Sequence, residues 1–111
     1  IEAVLLAASQ FGAATASVPL KDTVKQARDG FAVATPPRDS LVAVQTPQAF
    51  TRALYLKAYE ATRCEYSDDC QLIEACGGRV ALVQGDYANI KLTTPEDFAV
   101  AEALLQWRKL R

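Results

Sequence analysis

The 111-residue sequence contains no histidine and no methionine. Without histidine, no Ser-His-Asp arrangement can be built. The three cysteines, Cys64, Cys70 and Cys76, form no C-x-x-C pair, so a zinc site is not expected either. Spaced six apart and odd in number, they are expected to be reduced thiols serving as small apolar residues on or near one helix. The missing methionine, in a chain that opens inside a helical pattern, is expected of a piece of a longer protein. Neither charge sign dominates. The 12 Lys and Arg against 13 Asp and Glu leave a net charge of -1, which gives no electrostatic reason to bind nucleic acid or an anionic membrane. No apolar run approaches the roughly 18 residues of a membrane-spanning helix. The opening "IEAVLLAASQ" lacks the basic flank of a signal peptide and reads as an amphipathic helix, so a cytoplasmic location is the default expectation. A Walker A loop, a G-x-G-x-x-G run and a nucleophile elbow are also absent.

What is present fits one small globular domain or less, with half of its residues apolar. Helix and strand patterns alternate along it. Ile1 to Gln10 reads as a helix ended by Gly12. "AATASVP" reads as a small-residue strand suited to a sheet covered on both faces. Val24 to Thr35 reads as two short, weakly apolar runs about Asp29-Gly30, a favoured two-residue hairpin turn. Within an arm spanning about residues 22–40, such a hairpin needs something to lean on. "PPRDS" is a rigid loop and "LVAVQ" a strand. "TPQAF" is expected to open a helix, with Thr46 as N-cap and Pro47 at its first position. That helix is predicted to run to about Arg63 and to bury Leu54, Ala58 and Ala61. Ser67-Asp68-Asp69 starts another helix, ended by Gly77-Gly78. "RVALVQ" reads as a buried strand and "NIKLT" as a short one after a turn at Gly85-Asp86. The last helix is predicted over Pro95 to Lys109, with a Thr94/Asp97 capping box and Phe98, Ala101 and Leu105 on one face. This alternation predicts an α/β fold with a mostly parallel sheet.

Side chains alternate along an extended run, so Ile90 and Leu92 share one face and Asn89, Lys91 and Thr93 the other. Lys91 then stands near a strand end that feeds a helix N-terminus, where α/β sheets gather ligands and where backbone N–H groups face anions. It suits phosphate as a compact charge, and it equally suits a solubility role on an exposed strand. The same two readings apply elsewhere. Thr46-Pro47-Gln48 and Lys21-Asp22-Thr23 also fall at strand ends, as ligand contacts or as cap and turn chemistry. Arg38, held behind two prolines, can fork onto a phosphate. Asp68-Asp69 can hold Mg²⁺ or simply favour a helix start.

Taken together, "VPLKDTVK", "PPRDSL", "VQTPQAF", "SDDCQLIEACG" and "VQGDYANIKLTTPEDFAVAEALL" resemble, in order and approximate spacing, the cytidylyltransferases that act on 2-C-methyl-D-erythritol 4-phosphate. The resemblance covers nearly the whole chain, 1–111, as the C-terminal part of that domain, with the Gly-rich loop and D-A-A-R-P segment of the N-terminal half absent. It implies a Rossmann-like nucleotidyltransferase, a three-layer sandwich with a protruding β-hairpin arm. It implies transfer of a cytidylyl group from CTP to the sugar-alcohol phosphate with Mg²⁺, whose binding residues are mostly missing here. Lys91 matches the lysine of the N-I-K motif, which stabilises charge at the α-phosphate. Thr23, Arg38 and Thr46 match substrate contacts, and Ser67 stands where the family commonly has threonine. Val24, Lys25, Asp29, Gly30, Phe31 and Val33 fall on the arm, which in the family dimerises and completes the neighbouring subunit's site. Asp22 is placed to help order that arm. On this resemblance the isolated chain is expected to be inactive and to assemble as a dimer. The related ribitol-5-phosphate cytidylyltransferase and a non-catalytic oligomerisation module stand as alternatives.

Overall fold

The computed structural model describes residues 1–62 and 66–110. Helix α1 (Glu2–Phe11) ends where Gly12 turns left-handed at φ 94° and returns its N–H to Ala8 O. Strand β1 (Ala13–Pro19) follows, buried along all but its last residue. The hairpin β2 (Gln26–Arg28) and β3 (Phe31–Ala34) comes next. A one-turn 3-10 helix, Arg38–Ser40, leads into β4 (Val42–Phe50). Then come α2 (Arg52–Ala61), α3 (Asp69–Ala75), β5 (Ala81–Gln84) and α4 (Pro95–Lys109).

Strand β1 is the centre of a three-stranded sheet ordered β4-β1-β5. Its small side chains set the layering. Ala14 and Ala16 meet Val4 and Ala8 of α1 on one side. Ala13 meets Ala58 of α2 and Leu72 and Ile73 of α3 on the other. A helix layer on each face gives the expected three-layer α/β sandwich. The sheet is mixed where a mostly parallel one was expected: β5 runs parallel to β1, and β4 antiparallel. Long-range pairing sets that direction, and local composition does not encode it.

Four local expectations are corrected. The "TPQAF" stretch does not open a helix. It continues β4, with Ala49 opposite Ala14 and Phe50 opposite Ala13. Between those pairs and Val44 opposite Ser17, β4 uses two more residues than β1, and the cis Thr46–Pro47 bond lies in this bulge. Proline is tolerated there because the bulge asks no ladder hydrogen bond of it. The helix begins later, with Thr51 as N-cap, and Ala61 is exposed while Ala58 is fully buried. The predicted helix end at Arg63 and the expectation for Cys64 lie outside the described residues. The "RVALVQ" strand is half-exposed, with Leu82 open to solvent, because no further described strand covers it. "NIKLT" forms no strand: the last ladder bond runs from Gly85 N to Ser17 O at 2.8 Å, and the chain then turns at Asp86–Asn89.

Other signals hold. Asp29 and Gly30 both take positive φ, 53° and 86°, as a two-residue turn matched to strand twist requires. Lys25 Nζ donates to Thr35 Oγ1 at 2.8 Å and ties the base of the hairpin. Every residue of β2 and β3 is exposed, with Phe31 and Val33 on one face of the hairpin. Cys70 is buried with its thiol pushed up to about 11, chiefly by burial and then by Asp68, and Cys76 is half-buried; both are free thiols.

The last helix carries the predicted capping box. Asp97 Oδ2 accepts from Thr93 N and Thr94 N, each at 2.8 Å. Those two bonds hold the Asp97 carboxyl below its usual range. The depressed value makes its contribution complete above the ordinary Asp pKa of about 3.9 and lost as pH falls through the lower folded value. Asp97→Asn is therefore expected to melt below the parent at pH 7, with the gap closing below about pH 4. Thermal unfolding across that range checks this, and a gap independent of pH would contradict it. The helix buries none of its residues, and Phe98 and Leu105 of its predicted inner face remain mostly exposed. No helix among the described residues is long and apolar enough to cross a membrane.

Candidate functional site

Strand β5 ends beside Ser17 of β1, and the turn that follows it is bonded to the bulge of β4. Asn89 Nδ2 donates to Thr46 O at 2.6 Å, so the segment leading to Lys91 is bonded directly to the bulge of β4. Gln45 adds a second set of bonds to the same turn, donating from Nε2 to Asp86 O at 2.7 Å and to Asn89 O at 3.3 Å. Asp86 shapes the turn from within, accepting from Ala88 N at 2.8 Å through Oδ1. Lys91 is exposed and makes no ion pair or side-chain hydrogen bond with the described residues. Ile90 and Leu92 line a cleft of about 460 Å³ against Ala101, Leu104 and Leu105 of α4, and Lys91 does not. Asn89, expected on the opposite face with Lys91, lines the cleft as well, so strict alternation does not hold through this segment.

The arm's base reaches the same region. Lys21 Nζ sits 3.8 Å from the centre of the Tyr87 ring, a cation–π contact. Tyr87 in turn donates its hydroxyl to Pro19 O at 2.7 Å. Arg38 Nη1 donates to Lys21 O at 2.8 Å, bringing the loop arginine beside the Lys21-Asp22-Thr23 segment. Thr23 itself is exposed, as is Asp22. Ser67 lies just ahead of α3. Its N and Oγ both donate to Gln71 Oε1, at 2.9 and 3.0 Å. Gln48 Nε2 links that helix start to β4, reaching Asp68 Oδ2 at 3.4 Å. The structure thus joins the Thr46 and Lys91 segments directly, brings Arg38 to the Thr23 segment, and leaves Ser67 connected only through α3.

Gln45, Tyr87 and Asn89 were not read as site-forming from the sequence. Only Asn89 carried a signal, sharing the polar face of the alternation with Lys91.

The acids considered for Mg²⁺ are otherwise engaged. Asp68 caps α3 by accepting from Gln71 N at 2.9 Å. Asp69 Oδ1 accepts from Tyr55 OH at 3.2 Å, and this bond raises the Tyr55 pKa. Among the described residues no group of three or more His, Cys, Asp or Glu is placed to hold a metal ion. The described residues therefore do not fit a metal site.

Comparison with known proteins places the chain in a family. The family profile for 2-C-methyl-D-erythritol 4-phosphate cytidylyltransferase matches residues 1–107. A protein of that name from Desulforamulus reducens is 50% identical over 97% of this chain and 48% of its own length. Crystal structures of the Thermus thermophilus and Anaerococcus prevotii enzymes superpose with TM-scores of 0.80 and 0.84, at 40% and 38% identity. They share 94% and 95% of this chain, and 53% and 49% of theirs. The chain spans about half the length of the curated relatives it matches. With the match running through nearly every element described above, the chain belongs to the 2-C-methyl-D-erythritol 4-phosphate cytidylyltransferase family.

Proposed function

We propose that this chain supplies the alcohol-phosphate side of a cytoplasmic cytidylyl transfer from CTP to 2-C-methyl-D-erythritol 4-phosphate. A phosphate oxygen of the alcohol attacks the α-phosphorus of CTP. The new P–O bond forms as the bond to the bridging oxygen breaks, and pyrophosphate departs with that electron pair. The protein's task in such a displacement is positioning and charge stabilisation. Lys91 carries the charge stabilisation, while Thr46 and Ser67 contact the substrate. Thr23 and Arg38 contact it from the arm's base, with the arm reaching across a homodimer. Mg²⁺ would be held by residues outside this chain.

One observation supports this reading above the others. Side-chain hydrogen bonds stitch the Lys91 segment, just past the end of β5, to the bulge of β4 at Thr46, and the lysine is left exposed there. A second group of cations, Lys21 and Arg38, is anchored at the arm's base. Both suit a doubly charged phosphate substrate.

The test joins this chain to the half of the Desulforamulus reducens relative that it does not match. The chimera is expected to release pyrophosphate only when CTP and 2-C-methyl-D-erythritol 4-phosphate are both present. The 111-residue chain alone is expected to release none. Turnover with ribitol 5-phosphate in preference to the methylerythritol substrate would overturn the assignment. So would a folded, dimeric chimera that turns over neither.

A further inference from the structure

We infer that Gln45 is a positioning residue for Lys91, pinning the turn that carries the lysine to the bulge of β4. The inference rests on the reading of Lys91 given above. Past Gly85 the chain has no ladder partner, so the backbone of 86–91 is held by other means. Downstream, Asp97 takes the N–H groups of Thr93 and Thr94. Upstream, the side-chain anchors to the rest of the protein are Gln45, Asn89 and Tyr87, the last through its hydroxyl on Pro19 O at 2.7 Å.

Gln45 does most of this. Its Nε2 donates to Asp86 O at 2.7 Å and to Asn89 O at 3.3 Å, while its Oε1 accepts from Asp86 N at 3.4 Å. One carboxamide thus serves both ends of the turn. Its own backbone is fixed, because Gln45 O accepts from the buried Thr15 Oγ1 at 3.1 Å and from Gln48 Nε2 at 3.5 Å. A carboxamide both donates and accepts. Glutamate would set lone pairs against two carbonyl oxygens, and methionine would fill the space without the bonds. The room for the carboxamide comes from Gly85, where any Cβ would overlap Gln45 Oε1 and lie 3.3 Å from Ser17 O. Gly85 and Gln45 therefore work as socket and pin, and the residue they locate is the cation two positions past Asn89. A displacement of about 1 Å at a reacting group can cost roughly 100-fold in rate. Loosening one of three upstream anchors is expected to cost less than that.

The test uses Gln45→Met and Gln45→Glu in the active chimera and in the 111-residue chain. Both variants are expected to lower kcat on the order of 10-fold, with KM for either substrate changed less than about 2-fold. In a Lys91→Ala background Gln45→Met is expected to cost nothing further, because the pin acts through the lysine. Equal loss in both backgrounds, or no loss in the parent, overturns the inference while leaving the cytidylyl-transfer reading intact. Hydrogen exchange in the 111-residue chain reads the pin without turnover. The amides of Asp86 and Asn89 are expected to exchange at least about 10-fold faster in Gln45→Met, with those of Ala14 and Ala16 unchanged. Unchanged exchange at Asp86 and Asn89 also overturns it. If Lys91→Ala is itself silent, the functional reading fails and takes the catalytic consequence of the pin with it.

Discussion

Lys91→Ala, placed in the active chimera, is expected to lower kcat on the order of 100-fold or more, the scale of losing a transition-state charge contact. The structure separates this effect from a loss of folding. The Lys91 side chain is exposed and contributes no ion pair or side-chain hydrogen bond with the described residues, so its removal leaves no buried group stranded. Surface changes of that kind usually fall within about 0.5 kcal/mol of neutral. The melting temperature should therefore stay with the parent while turnover collapses. Arginine at the same position keeps the charge but spreads it over a planar fork, and should recover only part of the rate. A domain serving oligomerisation alone predicts unchanged turnover for both variants. Steady-state kinetics beside thermal unfolding decides the matter.

The largest effect on stability is expected at the other side of the sheet. Ile73 is fully buried in α3, packed among Ala13 of β1, Ala58 of α2 and its neighbour Leu72. Its carbonyl also accepts Cys76 N at 3.2 Å and Gly78 N at 3.0 Å as the helix ends. Two of the surrounding residues are alanines, with no side-chain length to swing into a vacated space. Ile73→Ala should then leave most of its cavity open, and substitutions of this type cost about 2–5 kcal/mol. Small domains hold only about 5–15 kcal/mol in all. Urea unfolding of the 111-residue chain should show a lower midpoint with an unchanged slope. A loss below about 1 kcal/mol would mean that α3 does not pack as described.

Much of the architecture was legible because its signals are local. Gly12 closes α1, Asp29-Gly30 turns the arm, Asp68 caps α3, and Thr94 with Asp97 starts α4, each through bonds reaching no more than four residues. The failures came where distant chain decides. Thr46-Pro47 carries the local chemistry of a helix start, yet β1 recruits that stretch as strand through Ala14 and Ala13. "NIKLT" has strand composition, but no described strand offers it a partner. The direction of β4 has no local signal at all. At the site, alternation correctly put Ile90 and Leu92 together against α4, but it put Asn89 on the wrong face. Gln45 was not readable, because its bonds to Asp86 and Asn89 span 41 and 44 residues and depend on a bulge that the T-P dipeptide concealed.

The hairpin beyond β1 has one further consequence. Its turn geometry and the Lys25–Thr35 clasp are complete within one chain. A surface that received Phe31 and Val33 would meet a shape already formed, so little chain freedom would be surrendered at contact.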